Sequence, residues 1–282
     1  MLGRKRVRGL ALLCLVLAGS ALGADAKATE QVLWQGQSGG MTWRWTTEDL
    51  VVQTGGKTLR LLRPRAEKEW QAFRQENATE IPKSGATFEK AEVPLSVVGP
   101  YVSFEETDYA NAGGAHPSVE RRFVTWRVTA SGAQPVSLLD LFPEPAVLKA
   151  LLADEVVQAG LKAAGAPEPK SLADLVQALQ GQELHAPKEE CTYEFTPDLA
   201  SRFAFHHVEG KQVAVRLSLP PLAGACRTQL TQLGLLLPIP PALAAPLQQA
   251  AARKAGFLMK TQKPLPKAPR TKNTFEVPPP KP

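Results

Sequence analysis

The chain of 282 residues predicts an α+β fold: a mostly antiparallel sheet with helices packed on one face, followed by a disordered Pro/Lys-rich C-terminal tail. Three observations carry this expectation. Short segments of alternating apolar and polar residues occupy 31–54 and 93–129. Stretches with apolar residues at helical spacing follow between 146 and 179, and alternating segments return between 192 and 239. No internal repeat interrupts that order.

The first element is not part of the fold. Arg4, Lys5, Arg6 and Arg8 form a basic start, Leu10 to Ala18 a short apolar run, and small residues then offer cleavage after Gly23 or after Ala26. That is the pattern of a secretory signal peptide over residues 1–26, and the run is too short for a lasting membrane span. Leu12 and Leu13 precede Cys14, where lipidation requires small residues. The mature chain is therefore expected in the periplasm or outside the cell.

Residues 27–92 read as a small N-terminal α+β lobe. Val32 and Trp34, then Met41, Trp43 and Trp45, then Leu50 and Val52 alternate with polar residues, with Gly36, Gly39 and Gly40 at turns. A helix is predicted over Arg65 to Gln75, with Trp70 and Phe73 on one face. Strands follow at Val93 to Val98 and Tyr101 to Thr107, divided by Gly99-Pro100. In Arg121 to Thr129, Phe123, Thr125 and Arg127 share one face, and Val124, Trp126 and Val128 the other, which is the expected core face. A helix is expected over Ala146 to Ala159. Another starts at a Ser171 cap with Asp174 three residues on, buries Leu172, Leu175, Val176 and Leu179, and ends near Gly181. Strands at Thr192 to Phe195, Phe203 to Val208, Gln212 to Leu219 and Leu233 to Ile239 precede a helix with Pro241 at its first position and Pro246 as a kink. The tail, 257–282, ends Pro278-Pro279-Pro280-Lys281-Pro282. Its composition argues against a packed core and for disorder or polyproline II. It is either an inert solubilising segment or a tether to an anionic envelope polymer or lipid headgroup.

Charge is uneven. Without residues 1–26 the chain keeps 29 basic and 26 acidic residues; the stretch 253–282 carries a net +7 and 27–252 a net −4. A core without a positive field is a poor partner for phosphate backbones, so nucleic acid is not expected as a ligand. The mature chain keeps two cysteines, Cys191 and Cys226, which in an oxidising compartment read as a disulfide. Closing that loop contributes about 3–4 kcal/mol in the chain-entropy model. The rival, a redox pair or metal site, lacks a Cys-x-x-Cys spacing and a suitably spaced histidine.

Several segments resemble a known family. Tyr101-Val102-Ser103-Phe104 is followed by Gly113-Gly114-Ala115-His116, a strand, a turn at Ser131-Gly132, and Val136-Ser137-Leu138-Leu139-Asp140-Leu141-Phe142 leading into a helix. Further on come Val213 to Leu219, Pro220-Pro221-Leu222 and Leu235-Leu236-Leu237-Pro238-Ile239-Pro240. Together they resemble the extracytoplasmic C-terminal domain family of the anti-sigma factor RsiV, a module also found beside peptidoglycan-deacetylase domains. The resemblance covers about residues 93–247 and sets a domain at 93–256. It implies a periplasmic or secreted module whose relatives meet the cell wall or its lytic enzymes. The family's transmembrane signalling part and the deacetylase metal motifs have no counterpart in this sequence.

Candidate binding residues cluster around the glycines. Gly113 and Gly114 permit a tight loop that presents the His116 ring or backbone amides to a ligand, or merely fixes a sharp turn. Glu105, Glu106 and Asp108 form an acidic patch for a cationic partner such as a lysozyme-like enzyme, or a solvated loop. Asp140 is a ligand-binding carboxylate or a turn cap. His206 and His207, adjacent on a strand, point to opposite faces and make a poor metal pair, and His185 stands alone. No nucleophile elbow, phosphate loop or dinucleotide fingerprint is present, and no cofactor is expected. The expected function is non-enzymatic binding at the cell envelope, to a lysozyme-like muramidase or to peptidoglycan. The alternative is a peptidoglycan-active hydrolase or deacetylase with a site near His116 and Asp140.

Overall fold

The structure is a computed structural model that describes residues 30–113, 117–182, 184–185, 192–221, 226, 230–261 and 270–280. The first described elements form a four-stranded antiparallel meander of β1 (Val32–Ser38), β2 (Met41–Thr46), β3 (Leu50–Thr54) and β4 (Lys57–Arg60). The helix α1 (Leu62–Glu76) and the single turn α2 (Ile81–Ser84) follow. Next come the long strands β5 (Ala86–Val98), β6 (Tyr101–Asn111) and β7 (Ser118–Thr129), and the short β8 (Gly132–Pro135). The helices α3 (Glu144–Leu152), α4 (Glu155–Ala164) and α5 (Leu172–Leu179) lead through the small pair β9 (Leu184–His185) and β10 (Thr192–Tyr193). They continue into a three-stranded antiparallel sheet of β11 (Phe203–Glu209), β12 (Gln212–Leu219) and β13 (Thr231–Pro238). α6 (Pro241–Ala251) and β14 (Thr271–Val277) complete the order. Antiparallel sheets combined with helices make this an α+β fold.

The central sheet has the order β14-β5-β6-β7-β8 and is covered on both faces. On β7, Trp126 and Val128 are buried as expected, but so are Phe123 and Thr125 on the opposite face. The β11–β13 layer closes that second face: Phe123 N donates to Ser218 Oγ at 2.9 Å and Thr125 Oγ1 to the Phe203 carbonyl at 2.6 Å. The helices are not confined to one cluster. Trp70 of α1 packs with Phe88 and Ile81, whereas residues of α3 to α6 share the largest core with β11–β13.

Local chemistry explains the remaining departures from the sequence reading. The helix expected over 146–159 is broken in two, because the Asp154 side chain accepts hydrogen bonds from the Val156 and Val157 amides and starts α4 afresh. β5 runs continuously through the expected boundary at 92/93. It carries buried Lys90 and Glu92, polar residues that disguise a strand. The tail expected to be disordered contains an ordered strand. β14 pairs with β5 from Thr271 opposite Glu92 to Val277 opposite Ala86, and Phe257 and Leu258 are buried. Thr271, Asn273, Phe275 and Val277 alternate toward the interior there, a pattern hidden by the surrounding prolines and lysines. No helix among the described residues is long and apolar enough to cross a membrane.

Candidate functional site

A cleft opens where β8 ends. β8 pairs with β7 only from Trp126 to Thr129, so among the described residues the stretch of β7 before Trp126 has no strand on that side. The cleft holds about 500 Å³. Four arginines line it from four separate elements: Arg60 at the end of β4, Arg65 in the first turns of α1, Arg122 on β7, and Arg202 just before β11. Leu61, Val124, Trp126, Ala133 and Pro135 supply an apolar wall, and Asp198 and Ser201 complete the rim. The Arg65 guanidinium lies over the Trp126 ring at 5.1 Å, and that ring in turn meets Phe104 edge-on at 4.9 Å.

The arginines are fixed by carboxylates behind them. Arg65 forks onto Glu106 and also bonds Glu69 at 2.7 Å. Arg122 bonds Glu106 at 2.5 Å and Glu120 at 3.1 Å. Arg202 bonds Asp198 through Nε at 2.8 Å and Glu120 through Nη2 at 2.9 Å, while its Nη1 is buried without an acceptor among the described residues. Arg60 makes a single 3.5 Å contact to Asp49 and is more than half exposed. Deeper in, fully buried Lys90 reaches Asp108 at 2.5 Å, Glu69 at 2.7 Å and Glu106 at 3.4 Å. Burial opposes the charge of Glu106, but Lys90, Arg65 and Arg122 overcome it and hold that carboxyl well below its ordinary range. Burial, reinforced by Glu106, pushes Glu92 up to about 8. Among the described residues neither Glu92 carboxyl oxygen has a hydrogen-bond partner.

The predicted site residues fall in several places. Glu105, Glu106 and Asp108 are not a loop but part of β6, and alternation puts Glu105 on the other face from Glu106 and Asp108. Each is already paired: Glu105 with Arg121 at 2.5 Å, and the other two with Lys90 and Arg122. Asp140 is exposed and closes a capping box: its Oδ2 accepts from the Ser137 amide at 2.8 Å. Gly113 has φ +89°, and its amide donates to Asn111 Oδ1 at 2.7 Å. Gly114, His116 and Cys191 lie outside the described residues; Cys226 is buried. The histidine expectation is corrected. A bulge in β11 between Phe205 and His207 inserts one residue, so His206 and His207 meet at 2.7 Å between their Nδ1 atoms instead of facing apart. Among the described residues no three of His, Cys, Asp and Glu gather where they would hold a metal ion. The arginine cleft escapes sequence reading, because positions 60, 65, 122 and 202 share no spacing and meet only through tertiary packing. No family model, curated protein or solved structure matches the chain.

Proposed function

We propose that this chain is a non-enzymatic binding protein of the cell envelope, secreted by its signal peptide, that takes an anionic peptidoglycan fragment in the arginine-lined cleft. The observation that carries the reading is four guanidinium groups around one apolar wall in a cleft of about 500 Å³. That size falls in the range of about 300–1,000 Å³ typical of small-ligand sites. Peptidoglycan is favoured over a cationic lysozyme-like partner, because Glu105, Glu106 and Asp108 are already spent on internal pairs. The membership in the RsiV-type family and the Cys191–Cys226 disulfide belong to the same proposal. A hydrolase centred on His116 and Asp140 draws less support, since Asp140 serves as a cap.

The test is calorimetric titration of the mature chain, residues 27–282, with soluble muropeptides and, separately, with a purified lysozyme. Saturable heat with muropeptides alone is the expected result. Saturable heat with lysozyme and none with muropeptides overturns the assignment.

A further inference from the structure

Resting on that reading, we propose that Arg202 grips the ligand and that the group it grips is a single carboxylate, with the ligand's apolar part lying along Val124 and Trp126. Arg202 differs from the other arginines of the cleft in one respect. Its side chain is nine-tenths buried, two of its three nitrogens are bonded to Glu120 and Asp198, and the third, Nη1, is buried without an acceptor. A buried charged donor left unsatisfied is costly, and native structures supply such a group with a protein, water or ligand acceptor. Among the described residues no protein acceptor is within reach, and Arg202 lines the cleft. Ser201, next in the chain and on the same rim, adds an exposed hydroxyl that donates to a second oxygen.

The charge balance selects the class of anion. Arg65, Arg122 and Arg202 are faced by Glu69, Glu106, Asp108, Glu120 and Asp198, so the cleft has guanidinium donors at its surface but no surplus of positive charge behind them. A dianionic phosphate needs several free donors and a net positive field. One buried guanidinium nitrogen without an acceptor, beside a hydroxyl, suits a monoanion. The indole of Trp126 and the Val124 side chain then offer contact to the aliphatic part of a peptide or lactyl group. The terminal carboxylate of a wall stem peptide has this chemistry.

The experiment titrates the mature chain with a muropeptide carrying a free terminal carboxylate, with the same muropeptide amidated at that carboxylate, and with inorganic phosphate. The acid is expected to bind at least about tenfold more tightly than the amide, the scale of one charge-assisted hydrogen bond. Phosphate is expected not to compete. Arg202→Gln is expected to erase the difference between acid and amide. Because that variant loses two ion pairs and its fold is at risk, Ala133→Phe provides a second route. It fills the cleft without touching an ion pair and is expected to weaken the acid by a similar factor. Equal binding of acid and amide, as when a water molecule satisfies Nη1, overturns the carboxylate assignment and leaves the cleft reading standing. Full affinity in Ala133→Phe places the ligand elsewhere. Absence of binding by either muropeptide overturns both proposals.

Discussion

Gly113 shows how a residue singled out for chemistry serves geometry. At φ +89° a side chain is strained, and a Cβ there would lie 1.9 Å from Ser84 Oγ, which itself donates to the Ala112 carbonyl at 2.9 Å. Gly113→Ala is expected to destabilise the protein by about 1–3 kcal/mol, read as a lower thermal midpoint. Adding Ser84→Gly relieves the clash but not the torsion, so only partial recovery is expected. Glu92 makes a second residue-scale case. In the folded chain it keeps its proton to about pH 8, whereas unfolded it releases it near the ordinary 4.5. Between those values the native state binds more protons than the unfolded state, so this site's contribution to stability falls as pH rises through the window. Glu92→Gln removes the titration. Its stability relative to the parent chain is expected to increase from about pH 4.5 to about pH 8, by on the order of a few kcal/mol, and to level off above. A difference flat with pH, measured by urea unfolding, would refute the burial of an uncharged Glu92.

At the scale of elements, β14 carries the clearest consequence. Thr271 sits between two layers: its Oγ1 accepts from Trp45 Nε1 at 2.7 Å and donates to the Thr46 carbonyl at 2.6 Å. Phe275 stacks on Trp70 with ring centroids 5.9 Å apart. Thr271→Val keeps the shape but strands a buried indole N–H and a buried carbonyl, a loss of about 1–3 kcal/mol. An unchanged urea midpoint in that variant would mean that the strand is undocked in solution. This element also marks the boundary of what the sequence reveals. α5 is legible because its signals are local: Ser171 Oγ accepts from the Asp174 amide, and Leu172, Leu175, Val176 and Leu179 fall on one face. β12 is likewise legible from its own alternation over Gln212–Leu219. β14 is not, because its partner strand is β5, far back in the chain, and its proline- and lysine-rich setting points the other way. The arginine-lined cleft is hidden for the same reason. Arg122 lies on the Val124–Trp126 face of its strand, and nothing local marks it as part of a site until α1 delivers Arg65 and the β11 approach delivers Arg202 to the same opening. The bulge at His206 needs knowledge of the β12 register, which one strand's sequence does not hold.

At the scale of the molecule, the question is whether the N-terminal segment is a lobe or a layer. A lobe ending near residue 92 would fold around its own core and unfold on its own. The packing argues for a layer. Trp43, Trp45 and Leu50 of the first meander share a cluster with Val97, Val102, Phe104, Trp126 and Val128 of the central sheet. That sheet is tied on its other face to β11 and β12 through Phe203 and Ser218. The five tryptophans make the distinction measurable. Trp34, Trp43, Trp45 and Trp126 belong to the cluster shared by the meander and the sheet, Trp70 belongs to the α1 cluster, and the large core of β11–β13 and α3 to α6 contains none. Tryptophan fluorescence therefore reports the first half of the structure, while far-ultraviolet circular dichroism reports every helix and strand. If the layers share one cooperative core, the two signals follow the same urea curve with one midpoint. An independent lobe would melt first or last and separate the curves. Coincidence is the expected outcome, because unfolding the meander alone would expose the inner face of β6 and β7 that the second layer needs intact.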